Sequence, residues 1–199
     1  LGLSLTAKYL DILRSPTPEF LLPDGKPLYT RAGVAVVKTH YPFSRAYQMA
    51  SDLGNQAKQI LVNDVDTAMD WHFSTTGAVL EIEKIRQREY VARDGRNLLS
   101  RPISIGTSTW PSWEAFQKVT HDFKNGEKWS GRRNKMKSLR DALRAGEIAV
   151  EQFCTNYSIP PEEMPKIDDM PQAQTRGWDS NRCAYFDAIE AADLCVLLK

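Results

Sequence analysis

Cysteine is scarce in this chain. Its 199 residues hold three, Cys154, Cys183 and Cys195, an odd number with no C-x-x-C pair. That excludes a disulfide framework and a thiolate zinc site, and it makes a reducing cytoplasm the expected setting. A surplus of charge is also lacking: 26 Lys and Arg against 25 Asp and Glu leave a formal net charge of +1. Binding of nucleic acid by bulk charge is excluded, although a local basic patch is not. No apolar run approaches the ~18 residues of a membrane span. No charged segment followed by an apolar core marks a secretory signal after Leu1. A start at Leu rather than Met is what a fragment or a processed chain has. Repeats and low-complexity tracts are absent too. What is there is 42% hydrophobic and 26% charged, the makeup of a soluble globular chain with one domain, or one domain plus a helical appendage.

Hydrophobic spacing divides the chain into a mixed part, residues 1–109, and a helical part, residues 110–199. Leu3, Leu5, Tyr9, Leu10 and Leu13 predict a helix over 3–14 that ends before Pro16. The run Ala32–Val37 is small, β-branched and continuously apolar, the pattern of a strand buried on both faces. From Phe43 to Leu61 the spacing Ala46, Tyr47, Ala50, Leu53, Ala57 and Ile60 predicts an amphipathic helix. Met69, Trp71 and Phe73 alternate with Asp70, His72 and Ser74, which predicts a strand with one buried face. Val79, Ile82, Ile85 and Tyr90 predict a helix over 78–91. Arg101–Ile105 reads as a short edge strand, because Pro102 cannot donate to a ladder. Thereafter helices are predicted from Pro111, over 132–156 with a break at Gly146, and around 183–196. The proline-rich stretch 158–177 between them reads as a long packed loop.

Several motifs carry chemistry only weakly. Gly126 to Gly131, followed by Arg132 and Arg133, has the glycine spacing of a phosphate loop. The residues that should be Lys and Ser/Thr are both Arg, and a helix rather than a strand precedes it, so a helix–helix turn is expected. Residues 128–144 hold seven bases against one acid, Asp141. Such a run can meet RNA through Arg132, Arg133, Lys135 and Lys137, or lie solvated, or pair with Glu162, Glu163, Asp168 and Asp169. Trp129 beside it is either a base-stacking ring or core. Asp70 and His72 share a strand face and form either a proton relay or a buried hydrogen-bonded pair. Lys58 ends the 43–61 helix at the border of its buried face, where an ammonium can reach a phosphate.

The run Ala32-Gly-Val-Ala-Val-Val-Lys-Thr-His-Tyr-Pro-Phe-Ser-Arg-Ala-Tyr47, continued by Ala50-Ser-Asp-Leu and Gln56-Ala-Lys58, resembles a palm domain of the CRISPR polymerase/cyclase family. These are the large subunits of type III CRISPR effector complexes and their stand-alone relatives. Met69-Asp-Trp-His-Phe73, Arg86 with Glu89-Tyr90, and Arg101-Pro-Ile103 follow in the same order. Arg133–Leu143 and Phe186–Leu194 are similar to the helical C-terminal region of that family, so the likeness spans roughly residues 30–199. It implies an α+β fold: part of a ferredoxin-like, GGDEF-type cyclase palm over 1–109, then a helical domain over 110–199. It implies ATP and Mg²⁺ as ligands and a cyclic oligoadenylate, an antiviral messenger, as product. Lys58 matches the lysine that approaches the triphosphate in related cyclases, and Ala32-Gly33 the strand beside the nucleotide, where a missing side chain leaves room.

The departure from the family is large. Active members hold two metal ions on a Gly-Gly-Asp-Asp hairpin ahead of the glycine-containing strand, and that motif occurs nowhere in the 199 residues. The expectation is therefore the C-terminal portion of a palm nucleotidyltransferase without its metal carboxylates. The alternative is a catalytically silent palm kept as a scaffold for CRISPR small subunits or guide RNA. An apolar strand deprived of that hairpin has an open edge, to be filled by an upstream segment, a second chain or self-association. No membrane partner is expected.

Overall fold

The computed structural model describes residues 1–15, 17–60, 67–74 and 81–192. Among them, eight α-helices, a three-stranded sheet and a minimal two-stranded hairpin make a mixed α+β fold. The described residues form two compact units, one of residues 1–84 and 101–114, the other of residues 85–100 and 115–192. The expected division at 109/110 thus falls inside a segment of the first unit. Leu61, Val79, Leu194 and Cys195, which figured in the sequence reading, lie outside the described residues.

In the first unit the order is α1 (Gly2–Leu13), β1 (Arg31–Val36), α2 (Phe43–Ala57), β2 (Thr67–Phe73), the start of α3 (Ile82–Glu89) and β3 (Ile103–Ile105). The sheet order is β1-β2-β3, with β1 parallel to β2 and β3 antiparallel to it. A parallel pair needs a crossover connection, and α2 supplies it. β3 sits at an edge, as expected, and begins just after Pro102. β1 sits at the other edge and is half-exposed along all six residues, which corrects the expectation of a strand covered on both faces.

The contact between β1 and α2 rests on a side chain that is not there. A Cβ on Gly33 would run into the carbonyl oxygen of Ala50 and the amide of Gly54, and would lie 2.8 Å from the Leu53 Cβ. The absence of a side chain at Gly33 therefore lets the strand and helix backbones approach this closely. Two residues on, Ala35 packs against the buried Met49, Leu53 and Ile82. β2 is buried throughout, Asp70 and His72 included, and this corrects the reading of one wet face: α1 and α2 both pack against this strand. The Asp70 Oδ1 accepts the Trp71 amide N–H at 2.8 Å, and Arg101 lies over the Trp71 ring, 5.3 Å from its centroid.

The second unit is helical, with α4 (Trp113–Asn125) continuing into it, then α5 (Arg133–Ala145), α6 (Glu147–Asn156), the four-residue α7 (Ala173–Arg176), the hairpin β4–β5 (Trp178–Asp179, Arg182–Cys183) and α8 (Phe186–Ala192). Gly146, at φ +114°, separates α5 from α6 where the break was expected. Its aromatic core sets Phe123 edge-on to both Trp129 and Tyr185, at centroid distances of 5.0 and 5.6 Å. The proline-rich stretch does pack: Ile159, Met164, Ile167 and Met170 are buried, and the Tyr185 hydroxyl donates to the Pro165 carbonyl at 2.8 Å.

Candidate functional site

Of the residues matched to nucleotide binding, Gly33 and Lys58 are brought toward one another by α2. Gly54 touches the Gly33 strand, and Lys58 follows one turn later as the C-cap of that helix. Lys58 is exposed and its Nζ donates to the Asn55 Oδ1 at 3.0 Å, so its ammonium is held at the helix end but remains open to an anion. The space beside Gly33 is different. At Gly33 the backbone of α2 takes up the space that a side chain would occupy. By the pleat, Ala32 points to the other face, with Val34 and Val36. A cavity of about 200 Å³ beside α2 is lined by Tyr41, Arg45, Gln48, Met49, Asp52, Glu81 and Ile82, and none of Ala32, Gly33 or Lys58 reaches it.

The Asp70–His72 pair belongs to the interior, both residues being buried in the central strand. His40 and His121 are exposed. Among the described residues no three His, Cys, Asp or Glu side chains stand close enough to hold a metal ion.

In the second unit the basic run divides by role. Trp129 is core: it is 2% exposed, and its indole N–H donates to the Glu163 carbonyl at 2.7 Å. Lys135 lies on that ring, 4.8 Å from its centroid. Burial, and next the charge of Arg132, lower the Lys135 pKa. Lys128 pairs with Glu163 at 3.6 Å, one of the expected acidic pairings. Arg132, Arg133 and Lys137 are exposed, and Arg144 lies over the Phe186 ring at 5.2 Å. The glycine loop before α5 is a helix–helix turn: Ser130 and Trp129 both donate backbone N–H groups to the Gly126 carbonyl. No protein-family model matches this chain, and no curated protein does.

Sequence reasoning missed a polar cluster that organises the second unit. Asp94 Oδ2 accepts the Glu147 backbone N–H at 3.0 Å, so a distant carboxylate caps α6, whose own N-cap residue is Gly146. Arg96 bridges Asp94 and Glu147, and Arg176 reaches the other Glu147 oxygen at 3.3 Å. Burial opposes ionisation of Asp94, but the donated N–H groups of Glu147 and Arg96 and the Arg96 charge outweigh it and lower its pKa below 3.8. The Asp94-Gly95 turn was legible as a turn, but nothing in it announced a partner 53 residues away. A groove of about 660 Å³ lies between α6 and α7, with Glu151, Cys154, Ile159, Pro160 and Gln174 on its walls. Burial raises the Cys154 thiol pKa, which keeps it protonated and weakly nucleophilic.

Proposed function

We propose that this chain is the C-terminal portion of a CRISPR-type palm nucleotidyltransferase that makes cyclic oligoadenylates from ATP. In this reading α1, β1, α2 and β2 are the rear of a ferredoxin-like palm, and the Gly-Gly-Asp-Asp hairpin belongs to another segment. The observation that carries the reading is the state of β1. Its outer edge has no partner strand among the described residues, and it is half-exposed although it reads Ala-Gly-Val-Ala-Val. The two helices that lie against it carry large exposed apolar side chains, Leu5, Tyr9 and Ile12 on α1 and Phe43 and Tyr47 on α2. Phe43 is 83% exposed, an arrangement that fits a surface meant to be covered by further sheet.

The described residues do not fit the Mg²⁺ that a palm requires, because no acidic cluster is placed to hold it. In this reading the metal carboxylates come from the hairpin. What this chain offers a nucleotide is the Lys58 ammonium, a point charge at the end of α2 suited to a phosphate oxygen.

Calorimetric titration of the 199-residue chain with ATP, with and without Mg²⁺, tests the reading. The expected result is weak, magnesium-independent binding that Lys58→Ala weakens about fivefold, the worth of an exposed ion pair of about 1 kcal/mol. Binding that is undetectable, or indifferent to Lys58→Ala, would leave the catalytically silent scaffold as the better reading. Strict magnesium dependence would overturn the placement of the carboxylates outside this chain.

A further inference from the structure

The backbone contains a repeat that the sequence reading did not expect. Glu19-Phe-Leu-Leu-Pro-Asp-Gly-Lys-Pro-Leu-Tyr-Thr-Arg31 and Glu89-Tyr-Val-Ala-Arg-Asp-Gly-Arg-Asn-Leu-Leu-Ser-Arg101 agree at five positions and hold like residues at four more. Each folds into the same hairpin and leads toward a strand of the sheet, β1 or β3. Leu21 bridges Pro27 as Val91 bridges Asn97. The Leu22 N–H donates to the Lys26 carbonyl and the Ala92 N–H to the Arg96 carbonyl, both at 2.8 Å. Gly25 and Gly95 take φ of +77° and +85°. Asp24 and Asp94 each accept the backbone N–H two residues on, at 3.2 Å, and each pairs with the cation there, Lys26 or Arg96.

The second hairpin holds the N-terminus of α6. Asp94 Oδ2 accepts the Glu147 N–H, Arg96 pairs with the Glu147 carboxylate, and Tyr90, Ala92 and Leu98 are 3, 3 and 1% exposed. A Cβ on Gly146 would stand 2.5 Å from the Asp94 Oδ2, so the helix seats here only because a glycine precedes it. In the first hairpin the matching apolar residues are uncovered: Leu22 is 42% exposed, and Phe20 and Leu28 are half-buried. Asp24 and Lys26 are exposed, and among the described residues their side chains bond only to each other's residue.

We infer that the first hairpin is a docking surface for the N-terminus of an α-helix on a partner polypeptide, one with glycine at its N-cap and a carboxylate at its first helical position. The twin hairpin in the same chain shows the occupant, and the first has the same parts. Asp24 is placed to accept the first helical N–H groups and to meet the positive end of the helix dipole. Lys26 is there for the acid, and Phe20, Leu22 and Leu28 give the apolar floor. Two differences shape the partner. Leu22 stands where Ala92 does, so the partner leaves more room above the hairpin. Pro23 stands where Arg93 donates its N–H to the Arg144 carbonyl, so the partner needs no carbonyl at that point. A second copy of this chain fits less well, because Asp94 already holds its α6 terminus. The inference does not rest on the nucleotide reading, which concerns Lys58 and the edge of β1.

Amide chemical-shift mapping on the full chain tests it. The probe is an acetylated peptide of residues 145–157, with Cys154→Ser, held helical by a lactam bridge. Shifts should be confined to residues 20–28 and saturate at millimolar peptide. Asp24→Ala should weaken binding about fivefold, the worth of a helix cap. Lys26→Glu, which keeps the turn's aspartate and repels the peptide's acid, should weaken it by at least as much. A peptide carrying Gly146→Ala should bind more weakly than the parent peptide. In the chain's own thermal melt Asp24→Ala should lower the midpoint far less than Asp94→Ala does. Absence of shifts at millimolar peptide, shifts centred elsewhere, unchanged binding by both variants, or a melt lowered equally by the two aspartate changes would overturn the inference.

Discussion

A methyl group on Gly33 would overlap the Ala50 carbonyl oxygen and the Gly54 amide, backbone atoms that cannot rotate out of its way. Gly33→Ala should therefore force α2 off the sheet and destabilise the first unit by roughly 3 kcal/mol, the upper range for overpacking, read as a shift in a denaturant melt. Gly54→Ala should cost less, because its Cβ would stand 3.6 Å from the Gly33 nitrogen, an ordinary contact. Here residue identity was legible and its purpose was not. A glycine in an apolar strand signals that something comes close, but sequence does not say whether that is a nucleotide or a helix. Trp129 and Lys135 show the same ambiguity: a tryptophan among bases suggested stacking, and the stack formed is internal, with the lysine on the buried ring.

At the scale of elements, the helices were legible because their apolar spacing is long and regular, and the Gly146 break stood out for the same reason. Strand burial was misread twice, in opposite directions. The continuous apolar run of β1 looked covered on both faces and is half-exposed, while the alternating run of β2 looked half-wet and is buried throughout. A strand's pattern records the chemistry its faces tolerate, and Asp70 and His72 show that polar residues inside a centre strand mimic an outer face. The joint between α5 and α6 gives a pH prediction. The Asp94 pKa is lowered below 3.8, so its cap on α6 stabilises the fold only while the carboxylate is ionised. That contribution is complete above the ordinary carboxylate range and fades as pH falls through the lowered native value. Asp94→Ala, which removes the acceptor, should cost about 1 kcal/mol near neutral pH. The difference between variant and parent melts should shrink as the pH is brought below 3.8.

For the molecule as a whole, the units are not successive stretches of chain. Residues 85–100 belong with the helices that begin after 114. They supply the Asn97 carbonyl to the Trp178 indole at 2.9 Å, the Tyr90 hydroxyl to Glu190 at 3.0 Å, and the Ser100 amide to Asp187 at 2.7 Å. A fragment cut at 110, where composition changes, would lose all three along with the Asp94 cap. It should show no cooperative melt by circular dichroism, whereas a fragment beginning at Ile85 should melt cooperatively. The division was illegible in sequence because hydrogen bonds spanning 81 to 100 residues leave no local pattern.

The outer edge of β1 has a further consequence, for the chain's behaviour in company. Its six residues include no proline, and Arg31 at the first position is their one charge. Natural sheets discourage unwanted growth with lysines, prolines or bulges along such an edge, and this strand has none of them. Left uncovered, it invites a neighbour's strand to add to it, and that neighbour then presents an edge of its own. High protein concentration is then a condition under which strand addition at this edge competes with the single-chain fold.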